Sequence, residues 1–227
     1  GTAAPVKINF KSAIGAVTGK LLPTGKPSDI IDGVEVSCVD VAMPIVLMRA
    51  EAFGKTGYET AAELDADKEL FKRMEAIRRK AGVLMGMGDV SKLVVPKIGL
   101  LAKPRNGGTI TSRFFVPDAC HRAHPVTGTV CIASACAIPG TIATLIAPLQ
   151  SAPQGVVKIE HPSGMIAIDF DADFSGDQPV MRRAALVRTA RRIFDGHVHV
   201  PEIVWAGAVR RPARTAATPA RTPAKAA

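Results

Sequence analysis

The stretch VTGTVCIASACAI, residues 126–138, decides the fold. It is bounded by Pro125 on one side and Pro139-Gly140 on the other. Its residues are Val, Ile and small ones (Gly, Ala, Ser, Thr, Cys) with no charge on any face. A surface helix needs a polar stripe, so this composition predicts a helix packed all round. Something must wrap it, and the flanking sequence offers strands. Lys97–Lys103 and Ile110–Val116 read as strands around Pro104-Arg105-Asn106-Gly107-Gly108, where Asn-Gly is a strong hairpin signal. On the other side, Val156–Glu160 and Met165–Phe170 flank His161-Pro162-Ser163-Gly164, which suits a tight turn.

Further outward, residues 5–10 alternate as a strand and residues 11–29 read as loop. Val34–Cys38 and Pro44–Met48 carry strand patterns. Thr60 and Glu63 have capping-box spacing. Leu70, Phe71, Met74, Ile77 and Ala81 predict an amphipathic helix over 67–81, with Arg78, Arg79 and Lys80 at its dipole-favoured end and Gly82 and Gly86 marking its exit. Ala184–Ile193 and His197–Val204 read as a last strand-turn-strand around Phe194-Asp195-Gly196. The sum is six or more antiparallel-type strands, one amphipathic helix and one buried helix, an α+β class.

The chain has 227 residues and a net charge of +9, and five of those charges (Arg210, Arg211, Arg214, Arg221 and Lys225) lie in residues 206–227. That tail is almost wholly Ala, Pro, Thr and Arg, cannot bury a core, and reads as disordered. The remaining +4 and an aromatic content of 4% supply no stacking platform, so no specific nucleic-acid partner is expected. Apolar runs such as Met43–Met48 fall well short of the ~20 residues that cross a bilayer, and no leader pattern opens the chain, so a cytoplasmic protein without membrane contact is expected. The chain starts at Gly1 with no methionine before Met43, which reads as an excerpt or a truncated product.

Metal-type residues occur at Cys120-His121-x-x-His124, but no second pair completes four ligands, so no metal is assigned. Cys38, Cys120, Cys131 and Cys136 are too few for a disulfide scaffold, and the last two fall in the buried helix as small hydrophobes. His197 and His199 share one face of the predicted last strand. Three small-residue loops are the candidate anion sites: Thr24-Gly25, Thr127-Gly128 at the buried helix's N-terminus, and His161 with Ser163-Gly164. Each offers a hydroxyl and backbone N–H groups, and a helix N-terminus favours an anion. No arginine cluster accompanies these loops in sequence, so backbone donors and the helix dipole would do the recognising.

The segments at 88–117, LLPTG (21–25), VEVSCVD (34–40), EHPSG (160–164) and LVRTARRIFDG (186–196) resemble the 4-oxalomesaconate tautomerases and, more widely, the 2-methylaconitate cis-trans isomerases. The resemblance covers residues 1 to about 205. It implies a diaminopimelate epimerase-like fold of two similar domains, each a barrel-like sheet around a central helix, with the active site between them. Residues 1–205 would be the second domain, with strands closing the first domain near 184–205. The implied reaction shifts a proton along an allylic unit of an unsaturated polycarboxylate in gallate and protocatechuate breakdown, without metal or organic cofactor. The lysine and cysteine that move the proton lie in the family's N-terminal half. None of its Gly-Gly-Thr-Ser-Lys-Gly or Asn-Cys-Gly-Asn motifs occurs here, so no catalytic residue is assigned and the chain alone is expected to be inactive. A homodimer or a separate N-terminal half are the expected macromolecular partners. The alternative is an inactive remnant or a binding domain. Lys26, Val41 and Ala42 replace an Asn, an Asn and a Gly of the family pattern.

Overall fold

The computed structural model describes residues 4–10, 13–147, 154–173, 180–201 and 204. Gly1–Ala190 form one unit and Arg191–Ala227 a second. Within the first lie ten strands: β1 (Pro5–Asn9), β2 (Asp29–Ile31), β3 (Val34–Asp40), β4 (Pro44–Arg49), β5 (Lys97–Ala102), β6 (Ile110–Val116), β7 (Ala119–Cys120), β8 (Gln154–His161), β9 (Gly164–Asp173) and β10 (Val180–Thr189). The α-helices are α1 (Ala61–Ala66), α2 (Lys68–Leu84), α3 (Val126–Ala137) and α4 (Ile142–Ile146).

The strands form one sheet in the order β1-β10-β9-β8-β6-β5-β4-β3-β2, with β7 paired to β6. It curls around α3, the 126–138 helix. From Gly128 to Ala137 every residue of α3 is buried, as its chargeless composition demands. Side-chain alternation divides strands β3–β6 between two cores. Val39, Ile45, Leu47, Leu101, Ile110 and Phe114 face α3. Val36, Cys38, Val46, Met48, Leu100 and Phe115 face outward, where Leu70, Met74, Ile77 and Ala81 of α2 cover them. The expected α+β architecture, a barrel-like sheet wrapped around a central helix, is present.

Several expectations need correction. Not every pairing is antiparallel: β4–β5 and β6–β8 are parallel. Residues 50–96 with α1 and α2 separate the first pair, and residues 117–153 with α3 and α4 the second, and parallel neighbours require such long crossovers. Period-2 alternation is blind to strand direction. The helix at 67–81 runs on to Leu84, so Gly82 lies inside it, pressed against Val90, and only Gly86 lies beyond its end. Arg78 consequently does not serve the helix end. It is buried and donates to the carbonyls of Val90, Leu93 and Val95 while pairing with Glu75, which fastens the 86–96 connection onto α2. The last strand stops at Thr189, and residues 190–201 carry neither helix nor strand, so His197 and His199 do not share a strand face and are exposed. The tail at 206–227 lies outside the described residues.

Local signals did specify local structure. Thr60 and Glu63 form the full capping box of α1. Asp32-Gly33 joins β2 to β3 with positive φ at both residues (51° and 76°), the two-residue hairpin geometry that Asp-Gly favours.

Candidate active-site face at the N-terminus of α3

Pro125 caps α3 without any side-chain bond. The first N–H that closes a helical turn is that of Thr129, onto the Pro125 carbonyl at 2.9 Å. The N–H groups of Val126, Thr127 and Gly128 therefore remain open among the described residues, as the free N-terminus of a helix requires. The Thr127 hydroxyl contacts Met43 Sδ at 3.1 Å.

Three histidines gather near this end. His124 is buried: Nδ1 meets Thr129 Oγ1 at 2.9 Å and Nε2 meets Ser112 Oγ at 3.1 Å. Burial pushes its pKa down to about 3, so it is a neutral structural bracket between β6 and α3. His121 and His161 are half-buried. In each, Nδ1 accepts the backbone N–H two residues onward, from Ala123 at 3.1 Å and from Ser163 at 3.3 Å. An accepting Nδ1 fixes the proton of the neutral ring on Nε2, so both rings offer an Nε2–H donor. Burial, then the positive charge of Arg113, with His121 and Arg188 behind it, holds His161 below its ordinary pKa.

Phe114 is the hub of this face. Its ring centroid lies 5.2 Å from that of His124 and 6.5 Å from that of His121. It also fills the space where a Cβ on residue 128 would stand, which gives Gly128 a packing reason.

The structure places the three sequence-nominated loops differently. His161-Pro162-Ser163-Gly164 is the two-residue β8–β9 hairpin, with His161 paired to Gly164. Ser163 and Gly164 are exposed, and the Ser163 hydroxyl lies 3.4 Å from His161 Nδ1. His124, bonded to Thr129 of α3, lies within electrostatic reach of both His161 and His121. Thr24-Gly25 follows a different path. Gly25 donates to the Leu22 carbonyl, and the Thr24 hydroxyl donates weakly to Lys26 O at 3.4 Å. Two residues on, Pro27 lies against Gly140, and its carbonyl accepts from Ser37, whose Oγ also accepts from the Ile142 N–H. That contact is beyond the C-terminal end of α3, a helix about 18 Å long.

Two arginines distant from these loops in sequence, Arg113 and Arg188, lie within electrostatic reach of His161. Arg113, on β6, is buried, donates Nε to the Glu59 carbonyl at 2.7 Å, and has no acidic partner within ion-pair distance among the described residues. The only sequence signal was an arginine inside an otherwise uncharged strand, ITSRFFV. Glu160, next to His161, was also missed. Its buried carboxylate accepts the N–H groups of Arg105 (3.0 Å), Asn106 (2.6 Å) and Gly108 (2.8 Å), and the hydroxyls of Thr111 and Tyr58. Burial alone would raise its pKa. The donors from Arg105, Gly108 and Asn106 outweigh that and hold it at about 2. Glu160 thereby ties the β5–β6 loop to the strand that carries His161.

No described thiol is poised for proton transfer. Cys38, Cys120, Cys131 and Cys136 are buried, and burial pushes each up to about 12. The residue types of Cys120-His121-x-x-His124 are spent internally: Cys120 Sγ donates to the His121 carbonyl and the His124 ring bridges Ser112 and Thr129.

A barrel-like sheet thus wraps a helix buried from Gly128 to Ala137, with that helix's open N-terminus on a polar face. Residues 1–201 match the family described as PrpF protein, and the chain belongs to that family. It is 48% identical over 201 residues to YbhH of Escherichia coli K12, covering 88% of this chain and 56% of that protein. It is 44% identical over 207 residues to a 4-oxalomesaconate tautomerase of Pseudomonas putida, covering 91% and 56%. A crystal structure of methylitaconate-delta-isomerase superimposes with a TM-score of 0.77 at 32% identity, covering 87% of this chain and 56% of that one. The chain thus spans about half the length of the curated relatives it matches. Among the described residues, no helix is long and apolar enough to cross a membrane.

Proposed function

We propose that this domain forms the substrate-recognising wall of an isomerase that shifts a proton along an unsaturated polycarboxylate, with 4-oxalomesaconate or a close tricarboxylate as substrate. The observation that carries this reading is the gathering of neutral donors at one end of α3: the open N–H groups of Val126–Gly128 with the Nε2–H groups of His121 and His161 nearby. Uncharged donors and a helix dipole suit a carboxylate, and the positive Arg113 and Arg188 lie within electrostatic reach of His161. The relatives named as tautomerases and isomerases supply the reaction class.

In this reading Thr127, Gly128, His161, Ser163 and Gly164 bind carboxylate. The proton-transfer acid and base come from outside the described residues. With thiols at about 12 and His124 at about 3, none of these groups matches neutral pH, where general acid–base catalysis works best. The 227-residue chain by itself then binds substrate without turning it over.

Two measurements test this. Titration calorimetry with trans-aconitate, an unsaturated tricarboxylate, reads binding. Ser163→Ala weakens it by roughly 0.5–1.5 kcal/mol, more if the lost bond is to a charged carboxylate. A substrate-dependent absorbance change with 4-oxalomesaconate, above a mock preparation, would show that the chain carries its own acid and base. Unaltered aconitate binding in both Ser163→Ala and His161→Ala would remove the recognition role.

A further inference from the structure

A second, more basic site is lined by none of the residues assigned to substrate above. A groove of about 380 Å³ opens beside the β4 and β5 ends, floored by Leu101 and by Ile146 of α4. Its volume falls within the range of small-ligand sites. Four cations line it, Arg49, Lys55, Lys103 and Arg105, against the single carboxylate of Glu51. Asp67 engages Lys55 at 2.6 Å, and Glu35 holds Arg49 loosely at 3.8 Å. Lys103 and Arg105 have no carboxylate partner among the described residues.

The segment that presents this unpaired couple is fixed before any ligand arrives. The Tyr58 hydroxyl lies 2.8 Å from the Lys103 carbonyl, and the Arg105 N–H is held by Glu160 at 3.0 Å. The Arg105 guanidinium stacks over the Tyr58 ring with 4.1 Å to its centroid. A prearranged cation loses little freedom on meeting an anion. The same stack covers a face of the aromatic ring in the groove, which takes away the open platform that a nucleic-acid base needs.

We propose that this groove is a binding site for a small multivalent oxyanion, a polyphosphate or a polycarboxylate, held by Lys103 and Arg105 with Arg49 and Lys55 as flanking charges. None of its lining residues belongs to the carboxylate-binding set at His161 and Thr127, although the Arg105 N–H is held by Glu160, the residue before His161.

The test is titration of the full chain with inorganic pyrophosphate and, separately, with citrate, read by calorimetry and by melting temperature. Saturable binding is expected for at least one of the two, and which one binds tells phosphate from carboxylate as the ligand chemistry. The double variant Lys103→Gln with Arg105→Gln should weaken that binding roughly tenfold or more, the loss of charge-assisted bonds. Lys92→Gln, which removes a cation outside the groove, should leave it unchanged. If the double variant fails to fold, Lys103→Glu alone, at an exposed side chain, should give the same loss. Absence of saturable binding of both anions, an unaltered affinity in the folded groove variants, or an equal loss in Lys92→Gln would overturn the proposal.

Discussion

Asn106 donates its backbone N–H to the Glu160 carboxylate at 2.6 Å, across a sequence separation of 54 residues. One buried side chain thereby organises the β5–β6 loop, the Tyr58 hydroxyl and the strand leading to His161. Glu160→Gln would keep the shape and lose the charge that draws these donors. A carboxyl shifted from 4.5 to about 2 corresponds to roughly 3 kcal/mol at neutral pH. Because the folded pKa is the lower one, this stability is complete above about pH 4.5 and disappears as pH falls toward 2. Urea unfolding at pH 7 and pH 3 should show a difference that shrinks in Glu160→Gln. An equal difference in both proteins would show that Glu160 is not responsible.

His124 adds a second acid-sensitive contribution at higher pH. Its folded pKa is lowered to about 3 from 6.5, so the unfolded chain takes the proton first. Stability is fully present above pH 6.5 and falls by up to about 1.4 kcal/mol per pH unit below it, until about pH 3. His124→Gln should flatten the stability profile between pH 6.5 and 4.5, at a cost in absolute stability from altered bonds to Thr129 and Ser112. A profile with the same slope in the variant would exclude this assignment.

Gly128→Ala should destabilise the domain by about 1–3 kcal/mol. The added methyl runs into the Phe114 ring, which itself is fixed between two histidines in a close-packed core. A chemical-denaturation midpoint unchanged by the substitution would show that Phe114 moves freely.

Ala42→Gly should have the opposite sign. Ala42 sits between β3 and β4 with φ of +62°, a left-handed conformation costly to any residue with a Cβ. Set against the greater unfolded-state entropy of glycine, the expected net gain is about 0.5–1 kcal/mol. A lower melting temperature for the variant would mean that packing of the Ala42 methyl outweighs the strain.

The four thiols should be silent toward a disulfide reagent at pH 8 in the native protein and all reactive in denaturant. Each is buried and raised to about 12, so the thiolate that attacks is scarce and shielded. Stoichiometric labelling of a native thiol within seconds would mean that one of them is a reactive group after all.

Much of the architecture follows from residues 126–138 read locally. A chargeless run of small residues has no face for water, so α3 must be enclosed, and the alternating segments around it are what encloses it. The Thr60–Glu63 box and the amphipathic face of α2 were equally legible, because capping and helical periodicity are short-range properties. Strand direction was not legible: an alternating strand reads the same up or down, and only the crossovers through α1–α2 and α3–α4 make β4–β5 and β6–β8 parallel.

The candidate site divides along the same line. The sequence by itself determined the buried helix, the α+β class, the His161–Gly164 turn and the family, since each rests on neighbouring residues or on a continuous pattern. Only the tertiary structure decided which distant groups meet: that Glu160 is locked by the 105–108 loop, that Arg113 comes within electrostatic reach of His161, and that the turn after Thr24-Gly25 leads to the far end of α3. It decided as well that the four cysteines are unfit as acids or bases. These properties depend on burial and on charges separated by tens of residues in the chain. Desolvation and Coulomb energy are functions of distance in space, and a sequence does not state that distance until the sheet has closed around its helix.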